Sequence, residues 1–297
     1  MRKLKLLLGP MRVPFLLLPP ACVALGAGTA CWKGYAIHWP DILWVLIGAV
    51  SAHISVNAFN EYFDFQSGLD HMTRRTPFSG GSGTLPAHPE MVRPTFYLAW
   101  STLILTAAIG VYFVRLRGWQ LMPLGLFGLL LLITYTTWWV YHPVMCLIAP
   151  GLGFGVLMVM GTHFALAGAY DLTAFTASLV PTFLVSDLLL LNQFPDVEAD
   201  RDIGRKHFPV TAGRNASAAL YGILLLLAYL TIIFGVAFKL LPVQGLIALL
   251  SAVVGWRTFL GVRRNANDVG ALLPSMGQNV MINLSTPALL ALALFMA

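Results

Sequence analysis

The chain has 297 residues, of which 58% are hydrophobic and only 10% are charged, and its mean hydropathy is +0.78. Soluble domains carry about 25% charged residues, so this composition excludes an ordinary soluble enzyme and indicates an integral protein of a lipid bilayer. The net charge of +6 does not require a nucleic-acid partner, because few acids and positive cytoplasmic loops produce this balance in a membrane protein.

Apolar runs of about 20 residues are typical of membrane-spanning helices. The runs in this chain predict an all-α membrane protein with nine transmembrane helices in one bundle, a single domain over residues 1–297. Met1–Trp32 also has features of a secretory signal, but Arg12 and the Pro19-Pro20 pair interrupt its apolar run, so we interpret it as a retained helix. The expected spans are 11–31, 41–60, 94–114, 119–138, 144–168, 174–194, 217–237, 241–260 and 272–296.

The positions of Lys and Arg predict how the bundle is oriented. With the N-terminus in the cytoplasm and nine alternating spans, 14 of the 18 basic residues fall on the cytoplasmic side, as the positive-inside rule requires. The two longest loops, about 61–93 and 195–216, then lie on that side. Long polar loops in a chain whose other loops are short are expected to be functional.

Polar side chains interrupt the second apolar run near its end. The stretch 57–70 reads N-A-F-N-E-Y-F-D-F-Q-S-G-L-D, and Gly68 is expected to end the helix before Asp70. Four earlier polar residues are spaced so that a helix would place them on one face. They are Asn57, Asn60, Glu61 and Asp64. Carboxylates at the end of a membrane helix are costly unless they have a partner, such as a cation.

A second acidic stretch, 192–202, reads N-Q-F-P-D-V-E-A-D-R-D and lies about half a chain later. Asn192, Asp196 and Asp200 are four residues apart, which again predicts one helical face. Basic residues follow both stretches: Arg74, Arg75, Arg201, Arg205 and Lys206. One such stretch alone is typical of a helix cap or of surface acids. Two on the same side of the membrane, each followed by basic residues, indicate a functional site.

The chemistry of these residues points to a phosphorylated ligand. Mg²⁺ prefers oxygen ligands and is commonly held by carboxylates together with substrate phosphates. Arg and Lys complete a site for phosphate oxygens. A diphosphate held in this way is a good leaving group, and the membrane interior suits the chain of a prenyl diphosphate.

These residues resemble the motifs of the UbiA superfamily of intramembrane prenyltransferases. N-E-Y-F-D-F-Q-S-G-L-D is most similar to its MenA-type branch, which prenylates 1,4-dihydroxy-2-naphthoate in menaquinone synthesis. The segments 80–86, 135–136 and 160–162 add to the resemblance. It implies nine helices, two Asp-rich motifs near the cytoplasmic face, a Mg²⁺-bound diphosphate and a small, aromatic acceptor, with no obligate protein partner.

The resemblance also implies roles for individual residues. Asp64 and Asp196 would be catalytic, and Tyr135 would stabilise an allylic cation with its ring. The ligands of Mg²⁺ would be Asn60, Asp64, Asp70, Asp196 and Asp200. The diphosphate would be bound by Arg12, Asn57, Asn60, Arg74, Arg75, Asn192, Arg201, Arg205 and Lys206.

The sequence departs from the family pattern at two places, and the second of them leaves the acceptor open. The Asn-Asp pair of the first motif is Asn60-Glu61 here, and the loop after Tyr135 lacks the basic residue and the Leu-Gly-Asp/Glu expected in quinone-forming relatives. The alternatives are therefore a glycerol-phosphate lipid acceptor, a diphosphatase in which water replaces the acceptor, and a cation-coupled transporter. A multi-pass protein of this kind is expected in the plasma membrane of a prokaryote, with its active site toward the cytoplasm.

Overall fold

The structure, a computed structural model, describes residues 2–297, with side chains from Lys5 onward. Helices make up 83% of it, and the described residues contain no strand, which confirms the all-α prediction. The helices are α1 (Arg2–Met11), α2 (Leu18–Trp32), α3 (Trp39–Gln66), α4 (Leu69–Met72), α5 (Thr84–Ala87), α6 (Val92–Arg117), α7 (Met122–Thr134), α8 (Pro143–Leu152), α9 (Gly161–Ala167), α10 (Leu172–Asn192), α11 (Val197–Asp202), α12 (Phe208–Thr211), α13 (Gly213–Ala237), α14 (Ala252–Asn265) and α15 (Val269–Met296).

Among the described residues, eight helical segments are long and apolar enough to cross a membrane, and each overlaps a predicted span. They are Val13–Trp32, Trp39–Gln66, Pro89–Arg117, Pro143–Ala167, Leu172–Asn192, Gly213–Ala237, Val243–Asn265 and Val269–Met296. The remaining predicted span, 119–138, contains a shorter apolar helix, Trp119–Thr134. That helix is about 24 Å long at 1.5 Å per residue, less than the roughly 30 Å of a hydrocarbon core. The count of nine, the single domain and the orientation of the N-terminus therefore stay predictions.

Close helix packing holds the centre of the bundle together. The largest buried cluster joins α2, α10, α13 and α15, with Tyr221 and Phe194 among its largest side chains. Two glycines, Gly151 and Gly155, let the segment 143–167 pack closely against α10. A Cβ on Gly151 would lie 2.1 Å from the carbonyl oxygen of Thr182, and one on Gly155 would lie 1.9 Å from the Thr182 hydroxyl. Small residues at helix contacts are the usual means of association in membranes.

A cavity of about 520 Å³ opens within the bundle between α3, α6, α7, α8 and α10. Residues of both acidic stretches line one end. Along α3 the lining runs from Asp64 back to Val45, about 28 Å at the helical rise. The deep end is lined by aliphatic side chains and by Gly48, Gly110, Gly125, Gly128, Gly153 and Gly161. The cavity is thus polar at one end and apolar along the rest of its length.

Candidate active site

The first acidic stretch lies at the end of α3 and in α4. Four of its side chains line the cavity: Asn57, Asn60, Asp64 and Asp70. Glu61, which the helical spacing placed on the same face, does not line it. The carboxylate of Glu61 is turned instead toward Arg12 and Ser82. Gly68, in the left-handed conformation (φ 80°), separates α3 from α4 and brings Asp70 back over the site.

The second stretch contributes Asn192, Asp196 and Asp200 to the same cavity. The spacing predicted one continuous helical face, and this is wrong in detail. α10 ends at Asn192, the chain turns before Val197, and α11 then begins. Pro195 lies in the turn and has no backbone N–H to continue the helix. The turn nevertheless leaves all three polar side chains on the cavity wall, so the two stretches do face each other as predicted.

Arg205 joins the two acidic stretches. Its guanidinium donates to the carboxylate of Asp64 from the first stretch, and its Nη1 lies 3.1 Å from Oδ1 of Asp200 in the second. The side chain is only 11% exposed. Although burial disfavours the charged form, Asp64 and Asp200 raise the pKa of Arg205 above its ordinary value. Arg205 is therefore a fixed positive charge at the centre of the site.

A second cation, Arg12, closes the cavity from the N-terminal side. Its Nη2 donates to Oδ1 of Asn60 at 2.9 Å, and its Nε donates to Oε1 of Glu61 at 3.0 Å. Burial opposes the charge, but Glu61 raises the pKa of Arg12 above its ordinary value. Arg12 and Arg205 both line the cavity. They are the two predicted basic phosphate ligands that the structure brings to it.

The other four predicted basic residues lie elsewhere on the surface. Arg74, Arg75, Arg201 and Lys206 are exposed and do not line the cavity. Arg201 is 55% exposed and pairs with Glu198 at 2.7 Å, and the guanidinium of Arg75 lies over the backbone of Gly83. In these positions their predicted contacts to phosphate have no geometric support, and they stay predictions.

Two carboxylates of the site are poised between their charged and neutral forms. Burial, followed by repulsion from Glu61 and Asp64, raises the pKa of Asp70 to about 7. Burial, followed by repulsion from Asp200, raises the pKa of Asp196 to about 7. A cation bound beside them would have to displace protons at neutral pH.

Several buried oxygen atoms at this end of the cavity have no hydrogen-bond partner. They are Oδ2 of Asp70, Oδ1 of Asn192 and Oδ1 of Asp196. Buried polar atoms are rarely left unsatisfied, and carboxylate and amide oxygens are the ligands that Mg²⁺ prefers. The predicted metal ligands therefore fit such an ion in their chemistry. Among the described residues, no three His, Cys, Asp or Glu side chains form a group that could hold a metal ion. Arg205 lies between Asp64 and Asp200.

Tyr135 ends α7 and lines the cavity beside the polar end. Its phenol lies next to the thiol of Cys146. Gln193 donates from Nε2 to Sγ of Cys146 at 3.2 Å, and both line the same wall. Tyr135 is thus placed where its ring can face a cation formed next to the acidic residues.

Some residues of the site were not predicted. His207 lines the cavity and its Nε2 lies 2.7 Å from Oδ2 of Asp200. Its position, seven residues after that acid, carried no recognisable spacing. Gln193 lies in the turn between α10 and α11, and its position also carried no recognisable spacing. Ser82 and Glu61 meet across 21 residues, a contact that helical periodicity does not reveal.

Three polar residues within the apolar spans have different surroundings. His53 lines the cavity, with its ring 4.8 Å from that of Phe154. His163 lies away from the acidic end, and its Nδ1 is 2.9 Å from the hydroxyl of Thr29. Asp187 faces away from the cavity, among α13 and α15, and neither of its carboxylate oxygens has a partner. Only His53 is therefore placed to touch a ligand in the cavity.

Comparison with known proteins agrees with this geometry. The chain is 26% identical over 195 residues to a 1,4-dihydroxy-2-naphthoate octaprenyltransferase of Bacillus subtilis (strain 168), a match that covers 64% of this chain and 60% of that protein. The chain thus aligns with less than two thirds of the length of this relative.

Solved structures show the same fold. The apo structure of a UbiA homologue from Aeropyrum pernix K1 superposes with a TM-score of 0.72 at 18% identity, over 95% of this chain and 98% of that one. A UbiA homologue from Archaeoglobus fulgidus bound to GPP and Mg²⁺ gives a TM-score of 0.66 at 15% identity, over 98% and 100%. The profile of the UbiA prenyltransferase family matches residues 17–296. The predicted resemblance to this family is thereby confirmed, and the chain belongs to the UbiA prenyltransferase family.

Proposed function

We propose that this protein is a Mg²⁺-dependent prenyltransferase that moves a polyprenyl group from a prenyl diphosphate to a small acceptor within the membrane. One observation carries the proposal: two acidic stretches and two partly buried arginines, Arg12 and Arg205, converge at the polar end of a cavity that is otherwise apolar. A prenyl diphosphate has this same division between a highly charged head and a long apolar chain. The Archaeoglobus fulgidus homologue, which holds GPP and Mg²⁺, supports the same pairing.

Each part of the site has a defined task in this reaction. Five residues would hold the cation: Asn60, Asp64, Asp70, Asp196 and Asp200. Mg²⁺ supplies charge neutralisation, which makes the diphosphate a better leaving group. Arg12 and Arg205 donate to phosphate oxygens, and charge-assisted donors of this kind strengthen as the leaving group gains charge.

The apolar part of the cavity and Tyr135 act on the other half of the substrate. The allylic C–O bond breaks with its electron pair on the diphosphate. The ring of Tyr135 stabilises the allylic cation, while the aliphatic walls keep water from it. An electron-rich acceptor then forms the new bond and loses a proton.

We further propose an aromatic acceptor, with a place in menaquinone-type quinone synthesis. The match to the 1,4-dihydroxy-2-naphthoate octaprenyltransferase of Bacillus subtilis supports this choice. The wall formed by Tyr135, Cys146 and Gln193 adjoins the acidic end of the cavity and offers a ring, a thiol and an amide to a polar aromatic ring. The nine-span topology, a prokaryotic plasma membrane and a site facing the cytoplasm belong to the same proposal.

A screen of donors and acceptors tests the function. Membranes containing the protein should convert a prenyl diphosphate and 1,4-dihydroxy-2-naphthoate into a prenylated product that mass spectrometry detects, and EDTA should abolish the product. A product with a glycerol-phosphate lipid alone would change the acceptor. Free prenyl alcohol formed without any acceptor would indicate a diphosphatase. Absence of product with every donor, together with cation-driven counterflow in vesicles, would favour a transporter.

The glycine-lined end of the cavity limits the length of the prenyl chain that fits. An added Cβ at Gly110 meets no heavy atom within 4 Å, so a leucine there would project into open space on the cavity wall. We expect Gly110→Leu to reduce kcat/KM for the longest accepted prenyl diphosphate on the order of tenfold or more, because a change of even one methylene in a hydrophobic pocket is worth about 1–3 kcal/mol. A short donor such as GPP should be unaffected.

The neighbouring Ala108 provides a matched control. It lies on the same helix, is exposed and does not line the cavity. Ala108→Leu should therefore leave the ratio of long to short donors unchanged. Competition between donors of different length, measured from the product masses, checks both variants. An equal loss for GPP and for the long donor in Gly110→Leu would show that the leucine disturbs the fold and not the chain site.

A further inference from the structure

We infer that Glu61 is a positioning residue whose carboxylate holds Arg12 and the Gly80–Gly83 loop where they contact the substrate diphosphate, without binding metal or substrate itself. The inference rests on the proposed function and specifies how one side of that site is organised. Glu61 stands where the family pattern has an aspartate beside the first asparagine, so its role does not follow from the motif.

The contacts of Glu61 use both of its oxygens. Oε1 accepts from Nε of Arg12 at 3.0 Å and from the backbone N–H of Ser82 at 2.7 Å, and it lies 2.9 Å from Nη2 of Arg12 in the ion pair. Oε2 accepts from the hydroxyl of Ser82 at 2.8 Å. The side chain is 0% exposed and does not line the cavity. A carboxylate that is fully buried and lies outside the cavity wall is not in reach of a ligand in the cavity.

Arg12 depends on this partner for its place. Its backbone is left-handed (φ 51°, ψ 54°), a conformation that costs a non-glycine residue of order 1–3 kcal/mol and persists only where its surroundings impose it. It lies between α1 and the turn that leads into α2, so its guanidinium reaches the cavity across the chain entering the bundle. The ion pair with Glu61 fixes both the direction and the charge of that guanidinium.

The loop that carries Ser82 lies directly against the acidic residues. Gly81 has φ 70°, and a Cβ there would lie 2.9 Å from Oδ1 of Asp70. Gly80 and Gly81 also line the cavity. The two bonds from Ser82 to Glu61 therefore fasten a stretch of bare backbone beside Asp70, where its peptide groups can meet phosphate oxygens. Through one buried acid, Arg12 and the loop are held in one arrangement.

Glu61→Gln tests this role with little change of shape. The amide oxygen can replace Oε1, and the amide N–H can donate to the Ser82 hydroxyl, so the loop contact survives while the charge opposite Arg12 is lost. We expect the KM for the prenyl diphosphate to rise about tenfold, the scale of coupling between contacting residues, with a smaller change in kcat. The Kd for inorganic pyrophosphate, measured by calorimetry with Mg²⁺ present, should rise by the same factor, and the Kd for Mg²⁺ alone should not change.

A double-mutant cycle separates positioning from an independent effect. If Glu61 acts through Arg12, Glu61→Gln adds little to the loss already caused by Arg12→Gln. Glu61→Asp, which keeps the charge but withdraws it, should recover part of the lost affinity. Glu198→Gln is the control, since Glu198 is exposed and outside the cavity. It should behave as the unmodified protein.

Three results would overturn the inference. They are a normal KM in Glu61→Gln, multiplicative losses in the double variant, and a loss of Mg²⁺ affinity as large as that of Asp64→Ala, which would make Glu61 a metal ligand. If Glu61→Gln does not fold, Arg12→Gln and Ser82→Ala test each arm separately, and a normal KM in both rejects the inference. Pyrophosphate binding needs no turnover, so it tests Glu61 even if the unmodified protein transfers no prenyl group, a result that would reject the proposed function alone.

Discussion

Replacing Asp196 with alanine is expected to abolish prenyl transfer while leaving the protein folded. The carboxylate lines the cavity and its Oδ1 is buried without a partner, so it is available to a cation and to nothing else in the protein. Loss of a group that stabilises charge in the transition state lowers kcat by roughly 10²–10³-fold, and loss of a Mg²⁺ ligand also weakens metal binding. We expect kcat/KM to fall by on the order of 10³ or more.

The pKa of Asp196 predicts whether Asp196→Ala raises or lowers the unfolding temperature. The pKa of Asp196 is raised by burial to about 7, above its value in an unfolded chain. The folded protein therefore favours the protonated acid, and that contribution is lost as the pH rises through about 7. Asp196→Ala lacks the buried charge, so at pH 8 and without Mg²⁺ it should unfold at the same temperature as the unmodified protein or at a higher one.

Asp64→Ala should remove activity equally but cost stability, because it deprives Arg205 of a partner. Asp202→Ala is the control for both, since Asp202 lies in the same short helix as Asp200, is exposed and does not line the cavity. Initial rates with a labelled prenyl diphosphate and thermal unfolding in detergent are the measurements. Near-normal turnover in Asp64→Ala or Asp196→Ala would remove the proposed role of the metal.

Arg205→Gln is expected to lose activity and to change the response of the protein to Mg²⁺. The arginine bridges Asp64 and Asp200, and removing one partner of a buried ion pair costs about 3–5 kcal/mol. The unfolding temperature without Mg²⁺ should therefore fall. A bound ion stabilises the folded state, and in the variant no guanidinium competes with it. The rise in unfolding temperature on adding Mg²⁺ should thus be larger than in the unmodified protein.

The transfer rate of this variant should drop by on the order of 10², the usual effect of losing one donor to developing charge. Arg264→Gln is the control, since Arg264 is exposed and does not line the cavity; it should match the unmodified protein in both respects. An equal Mg²⁺-induced rise in unfolding temperature for Arg205→Gln and the unmodified protein would contradict the competition between the arginine and the ion.

Spacing singled out four residues of the acidic half, and the structure places all four on the cavity wall. Asn60, Asp64, Asp196 and Asp200 recur at helical intervals in an apolar setting, where burial makes an unpartnered acid costly. The predicted fold class followed from the same physics, because the length of an apolar run reports on membrane crossing. The fourth span stays a prediction for the same reason: its apolar run extends to 138, but the helix itself ends at Thr134.

The basic half was harder to predict, because it lies in loops. Arg74 comes four residues after the first acidic stretch and Arg12 comes 45 residues before it, yet Arg12 reaches the cavity and Arg74 does not. Loop direction depends on contacts between distant segments, here the 49 residues that separate Arg12 from Glu61. Glu61 itself sits at the edge of the helical arc, where periodicity does not decide which neighbour it meets.

The glycines of the bundle fall into two groups with different tolerance to change. Gly151 and Gly155 are pressed against α10, so any side chain there would collide with Thr182. Gly110 and Gly128 border open space, with no more than ordinary contact for an added Cβ. A single nucleotide change can convert a glycine codon of the second group to alanine or valine. Each such change would shorten the apolar part of the cavity slightly while the acidic end stays intact. Chain length and chemistry can therefore evolve separately in this protein.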